Sequence, residues 1–365
     1  MRPAEEPSSH GLPERHDGSR RTGRGLPSIT GSTARDDCFP DARPPVPGID
    51  RPSRAWQSEA ESTVLDKDWD RLIRQLEGGK CVPFLGAGAC YGHLEMADEL
   101  ATIWADEHHY PFADRTNLAR VMRYVATCDG DHVDVKERFL NRHIRNVGPP
   151  PATPDEPHAA LARFPLPLYL TTNYDDFMVK ALYNAGRSPR QVLCPWYPRA
   201  PYDPDAFAPP PGGTLVDSPV VYHLHGHSGE PASLVLTEDD YTQFLVALVE
   251  DRNKAEHNSA QLSLIPPAVH EALANKPLLF VGYSLRDATF QVLLQVIVKE
   301  LALSQMRSHY SIQKLPVPAD AAGQVRERAE RYLDQYFAEL KISVYWGSAT
   351  DFFRELSRRA GVRHA

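Results

Sequence analysis

"PLLFVGYSL", residues 277–285, is apolar from Leu278 to Val281 and then breaks at Gly282 into Tyr283 and Ser284. A strand with one wet face alternates apolar and polar residues. A run this short and uniformly apolar reads instead as a strand covered on both faces, the pattern of a parallel sheet with helices on each side. The same form recurs upstream. "CVPFLGAGAC" (81–90) is a strand running into a glycine turn, "FPLPLYLTTNYDDF" (164–177) is an apolar stretch cut off by polar residues, and "VVYHLHGH" (220–227) ends in histidines.

Between these stretches the spacing is helical. "DKDWDRLIRQLEGGK" (66–80) sets Trp69, Leu72, Ile73 and Leu76 on one face and stops at Gly78-Gly79. Three further helices are expected in 93–109, 116–128 and 134–147, a helical block inserted at about 94–165. "DDFMVKALYNAG" (175–186), "EDDYTQFLVALVED" (238–251) and "DATFQVLLQVIVKELALS" (287–304) also read as helices, and 261–276 as helical on both sides of Pro266-Pro267. "RQVL" (190–193) and "SLVLT" (233–237) read as short strands, and residues 309–360 as strand, helix, strand, helix. Strands alternating with helices predict an α/β fold, a doubly wound parallel sheet of Rossmann type.

Residues 1–60 hold nine prolines before Ser53 and a single aromatic, Phe39, before Trp56. Such a segment buries too little apolar surface to offset its ordering entropy, so it is expected to be disordered, with the folded domain over 61–365. The 365 residues are 42% hydrophobic and 24% charged with a formal net charge of -8, which gives no reason to expect direct nucleic-acid binding. No apolar run reaches the ~18 residues of a membrane span and no signal-peptide core precedes the domain, so the chain is read as cytoplasmic. The five cysteines, at 38, 81, 90, 128 and 194, form no C-x-x-C pair. Zinc is therefore not expected, and the thiols are read as reduced and mostly buried.

Four strands thus end in small or polar residues, and in open α/β sheets ligands bind outside the strands' carboxyl ends. Gly86 and Gly88 would let the backbone approach a pyrophosphate, though a Gly-Ala-Gly turn also serves simply to join strand and helix. Asn173 has the helix cap as its plain alternative. His223, His225 and His227 would share a face if the strand continued through them, but nothing completes a metal set.

Taken in order, Gly-Ala-Gly, Thr-Thr-Asn-Tyr-Asp, His-Gly and Gly-Tyr-Ser-Leu resemble the sirtuin superfamily. More closely, they are similar to the bacterial sirtuin-like NAD hydrolases of antiphage defence, as in Thoeris and defence-associated sirtuin systems. The resemblance spans roughly residues 67–360. It implies that Gly86, Ala87 and Gly88 hold the NAD phosphates, that Asn173 stands beside the nicotinamide ribose, and that Asp175 lies near the nicotinamide pocket. It further implies that His225 is the base and that Gly282 and Ser284 contact ribose or phosphate. The second aspartate, Asp176, is expected to cap the following helix, and Cys90, where deacylases carry serine, to be a small packed residue.

Deacylases of that superfamily carry a zinc module with paired cysteines and follow the glycine loop with a proline-aspartate-phenylalanine-arginine segment. Here the cysteines are unpaired and "GACYGHLEMADELA" (88–101) runs straight toward a helix. The implied activity is therefore NAD hydrolysis to nicotinamide and ADP-ribose, with NAD as substrate, by a regulated toxic effector. Protein deacylation, ADP-ribosyl transfer and non-catalytic nucleotide binding are the alternatives. The resemblance also implies control by homo-oligomerisation or by a separate sensor such as a HerA-type ATPase, a short Argonaute or a phage protein.

Overall fold

Leu278, Leu279, Phe280 and Val281 are all but inaccessible to solvent and form strand β5 (Leu278–Val281), covered on both faces as their composition requires. They belong to a computed structural model that describes residues 66–198, 200, 203–256, 263–283, 308–318 and 321–361. The expected disorder of 1–60, the helix expected over 287–304 and the candidate Ser284 lie outside the described residues.

The other strands are β1 (Val82–Leu85), β2 (Leu168–Thr171), β3 (Arg190–Leu193), β4 (Val220–His223), β6 (His309–Gln313) and β7 (Ile342–Trp346). All pairings are parallel, in the order β3-β4-β2-β1-β5-β6-β7. The edge strand β3 is half exposed, while β1, β2, β4 and β5 are buried throughout. The chain starts at the centre with β1, adds β2 beside it, skips to the edge with β3, returns to fill the gap with β4, then crosses to the other side of β1 with β5. That reversal opens a crevice at the carboxyl end of β1, the position where such sheets bind ligands.

Successive residues of each strand serve opposite faces. Phe84, Leu170, Tyr222 and Phe280 pack under helices α7 (Glu238–Glu256), α8 (Pro267–Asn275) and α9 (Gly323–Glu339). Leu85, Tyr169, Val221 and Leu279 pack under α1 (Asp66–Glu77), α5 (Pro157–Ala162), α6 (Phe177–Asn184) and α10 (Ala349–Arg359). Three more helices, α2 (Ala97–Glu107), α3 (Leu118–Asp129) and α4 (His132–His143), enclose a cluster of their own around Trp104, Met122 and Phe139. Asn117 and Asp131 cap α3 and α4 through their side chains, and Gly130 closes α3 at φ +78°.

Two expected elements differ. Residues 233–237 form no strand. Ser233 closes a short 3-10 turn, Leu234 and Leu236 plug the helical block, and Val235 faces the sheet cluster. The segment is apolar at its centre because it is sandwiched between two cores. The N–H groups of Leu236 and Thr237 find their acceptor in Asp240 Oδ2 at 3.1 and 2.8 Å, which starts α7. Before Pro266 the described residues 263–265 are not helical, and α8 begins only at Pro267, since proline is tolerated in the first turn of a helix but not within it. No described helix is long and apolar enough to cross a membrane.

Candidate active site

The glycine turn is fixed by contact with the end of β5. Gly86 N–H donates to Val281 O (2.9 Å) and Gly88 N–H to Gly282 O (2.9 Å). Gly282 has φ +78°, and a Cβ there would come 2.1 Å from the Ala89 nitrogen. A Cβ on Gly88 would come 2.8 Å from the Gly282 Cα. The two glycine motifs are thus one interlocked object, in which only hydrogens fit.

Asn173 sits just past β2, 9% exposed, with its backbone N–H on Thr171 Oγ1 (3.0 Å). Its Nδ2 donates to Gly86 O (3.2 Å) and to Cys90 Sγ (3.3 Å). Gly86 O can only accept, so the nitrogen of the amide must face the loop and Oδ1 is turned away from it. The helix-cap alternative does not describe this residue. It is Asp175 Oδ1 that accepts Phe177 N–H (2.9 Å) at the start of α6. Asp176 makes no side-chain cap bond and pairs with Lys180 at 2.9 Å, so the expected cap belongs to the first aspartate of the pair. Asp175 Oδ2 accepts the Cys90 S–H (3.4 Å), which makes Cys90 more than a packed small residue. Burial, with the Asp175 carboxylate alongside, raises the Cys90 pKa well above the usual thiol range.

His225 follows β4, and Gly226 beyond it adopts φ +89°, where a Cβ would come 2.2 Å from Ser233 O. The motif glycine lets the 226–233 loop fold back, after which Val235 N–H donates to His225 O (3.0 Å). The imidazole stands edge-on to Tyr241 and Phe244, with ring centroids 5.5 and 5.0 Å away. Its Nε2 is buried without a protein partner, and burial lowers its pKa to about 3. The ring is therefore neutral near pH 7 but is a far weaker base than a free histidine. The three alternating histidines do not share a face, because the strand ends at His223. His223 and His227 pack together (4.9 Å) while His225 turns to the aromatics. His223 Nδ1–H donates to Asn173 O (3.1 Å) and so supports the asparagine backbone.

Ala87, Gly88, Asn173, Asp175, His225 and Gly282 all line one cavity of about 600 Å³ at the carboxyl ends of the strands. Gly86 is not in the lining; it forms the turn beneath. The helical block closes one side of the cavity through Leu100, Leu118 and Phe139, and the ends of β6 and β7 supply Gln313, Lys314 and Ser348.

Residues 167–341 match the sequence model of a family described as "SIR2-like domain". Curated relatives include proteins named NAD(+) hydrolase ThsA from Acinetobacter baumannii (strain 532279), 25% identical over 80% of this chain and 55% of that one, and from Enterococcus faecium, 26% identical over 67% and 45%. A third ThsA, from Cytobacillus dafuensis, is 28% identical over 68% of this chain and 45% of its own length. The chain thus spans about half the length of these relatives. A solved structure described as "Structural Basis for the Mechanism and Regulation of Sir2 Enzymes" aligns over 81% of this chain and 98% of that one, at 14% identity and a TM-score of 0.34.

Two features of the cavity escape a reading of the sequence. Tyr283 acts as a latch, its hydroxyl donating to Leu85 O (2.8 Å) and meeting Thr172 Oγ1 (2.7 Å), so the ends of β1, β2 and β5 are tied by one phenol. Lys314, in the cavity lining, has its Nζ 3.7 Å from the centroid of Tyr91. Neither side chain has a local pattern that announces it; each acquires a role only through strand order.

Proposed function

We propose that the chain is an NAD hydrolase that cleaves the nicotinamide–ribose bond to give nicotinamide and ADP-ribose. The observation that carries this reading is the convergence of Asn173 and His225 on one cavity whose floor is the interlocked 86–88 and 282 turn. The ThsA relatives, named NAD(+) hydrolases, support it. The glycine turn, where no side chain fits, suits a pyrophosphate, whose charge would meet backbone N–H groups.

Breaking the bond to a pyridinium leaving group leaves a cation-like centre on the ribose. With the Asn173 nitrogen held by Gly86 O and Cys90, Oδ1 is the atom offered to a ribose hydroxyl or to the attacking water. His225 accepts the proton released there. Burial alone lowers its pKa. A bound diphosphate nearby would favour the charged ring and bring its pKa back toward the range where base catalysis is effective. The domain is read as the cytoplasmic effector of an antiphage system, held in check by self-assembly or by a separate sensor protein.

Incubation of the purified chain with NAD and chromatographic separation of the products tests the reading. Nicotinamide and ADP-ribose are expected in equal amounts, with no turnover by Asn173→Ala. Unchanged turnover by that variant would reject the assignment. Turnover of acyl-lysine peptides in place of simple hydrolysis would move the domain to the deacylases.

A further inference from the structure

Behind Asn173 lies a buried polar chain that the hydrolytic chemistry does not itself use. Glu156 and His158, at the start of α5, are 7% and 1% exposed. His158 Nδ1 lies 2.6 Å from Glu156 Oε1, and Glu156 Oε2 accepts Ala159 N–H at 2.6 Å. A ring nitrogen of His158, Cys90 Sγ and an Asp175 carboxylate oxygen lie within 4.8 Å of one another. Since Nδ1 is turned to Glu156, Nε2 is the nitrogen left for the Cys90–Asp175 pair. From there the contacts run on through Cys90 Sγ to the Asn173 amide.

Two acids and an imidazole are an expensive way to fill a core. Apolar residues of similar volume would serve stability as well or better. Their cost is understandable if they hold a reactive side chain to within a fraction of an ångström. The Glu156 carboxyl fits this: burial pushes its pKa up, yet the bond and charge of His158 outweigh that and leave it below the usual range. Glu156 is thus an anion, and its donor is fixed in place. His158 also stands edge-on to Phe177 (5.9 Å), the residue whose N–H holds Asp175 Oδ1.

We infer that Glu156 and His158 are positioning residues for the proposed hydrolysis: they orient Asp175 and, through the Cys90 thiol, fix the Asn173 amide with its oxygen toward the substrate. The inference rests on the NAD-hydrolase reading but concerns residues outside the family match, which begins at residue 167. Neither group touches the cavity; both act through others. Groups facing the couple are Asp175, Cys90 and the apolar Phe177, so removing the Glu156 charge acts on the thiol first.

The test uses Glu156→Gln, which keeps an acceptor for Ala159 N–H, beside His158→Gln. Two readouts are taken on folded protein: steady-state NAD hydrolysis, and the rate at which methyl methanethiosulfonate labels Cys90, followed by peptide mass spectrometry. Misplacing a reacting group by about an ångström costs on the order of 10²-fold. The expected result is therefore a fall in kcat of about 10- to 100-fold with KM within threefold, and labelling of Cys90 at least threefold faster in Glu156→Gln. A kcat within twofold of wild type together with unchanged labelling would overturn the inference, since a cap and a packed ring would then be all these residues provide. If His158→Gln fails to fold, Glu156→Gln decides on the same criteria. If wild-type protein does not hydrolyse NAD, the functional reading fails separately. The labelling rate then decides alone, faster labelling upholding the relay to Cys90 and an equal rate refuting it.

Discussion

Mild acid should unfold this protein through its histidines. His223 and His225 have pKa values lowered to about 3 by burial, and His309 to about 4 by burial and the nearby Lys341 charge. The bonding agrees: His309 Nδ1 accepts Leu278 N–H (3.0 Å), which a protonated ring cannot do, and the Nε2 atoms of all three are buried without protein partners. In the unfolded chain each titrates near 6.5. Above that pH both states are neutral and the groups add nothing. Below it the unfolded chain takes up protons the folded chain refuses, so stability falls as pH falls, until the folded rings charge near pH 3–4. At pH 5 the loss is about 2 kcal/mol per histidine and about 6 kcal/mol for the three. That is comparable to the whole stability of an ordinary domain, about 5–15 kcal/mol. Ordinary carboxylates titrate below about 4.5, so the window from 6.5 to 5 reports chiefly on histidine. Urea titrations at half-unit steps across this window measure it directly. His309→Gln, which can still accept Leu278 N–H, should reduce the limiting slope by about 1.4 kcal/mol per pH unit. A stability that stays level from pH 7 to 5 would refute the burial of these rings in neutral form.

Gly282→Ala should loosen the glycine turn: the residue has φ +78° and its new Cβ would meet the Ala89 nitrogen at 2.1 Å. The left-handed backbone alone costs about 1–2 kcal/mol, and the displaced loop should weaken NAD affinity at least tenfold by calorimetry. Lys136→Met removes the ammonium that pairs with buried Asp240 (2.7 Å) and donates to Leu234 O (2.8 Å). A loss of about 3–5 kcal/mol in urea unfolding is expected, and a change under 1 kcal/mol would contradict the pair's role in anchoring the helical block. His225→Ala should lower the hydrolysis rate by about two to four decades if the ring is the base; a tenfold loss or less would leave it only a wall of the pocket.

Much of this architecture can be read in the chain because strands buried on both faces declare themselves. Leu278–Val281, Val82–Leu85 and Leu168–Leu170 are apolar without alternation, and each stops at glycine or a polar residue. That the candidate residues meet at one cavity could be anticipated for the same reason: they are the ones that end strands. What could not be read depends on contacts distant in sequence. Residues 233–237 imitate a strand because two separate cores claim alternate side chains. Asp175 rather than Asp176 serves α6, because the chain bends after Asn173 to present the amide. The low pKa of His225 comes from its burial, edge-on to Tyr241 and Phe244, which a local pattern cannot place beside it. Glu156 and His158 look like the opening turn of a short helix until β2 brings Asp175 against them.

In NAD-bound protein the nicotinamide ribose should lie between the side chains of residues 173 and 225. A crystal structure of Asn173→Ala soaked with intact NAD examines this directly. The diphosphate should lie on the 86–88 turn, with the nicotinamide ribose between position 173 and the His225 ring. A dinucleotide bound elsewhere, or with its adenosine end in that place, would contradict the account.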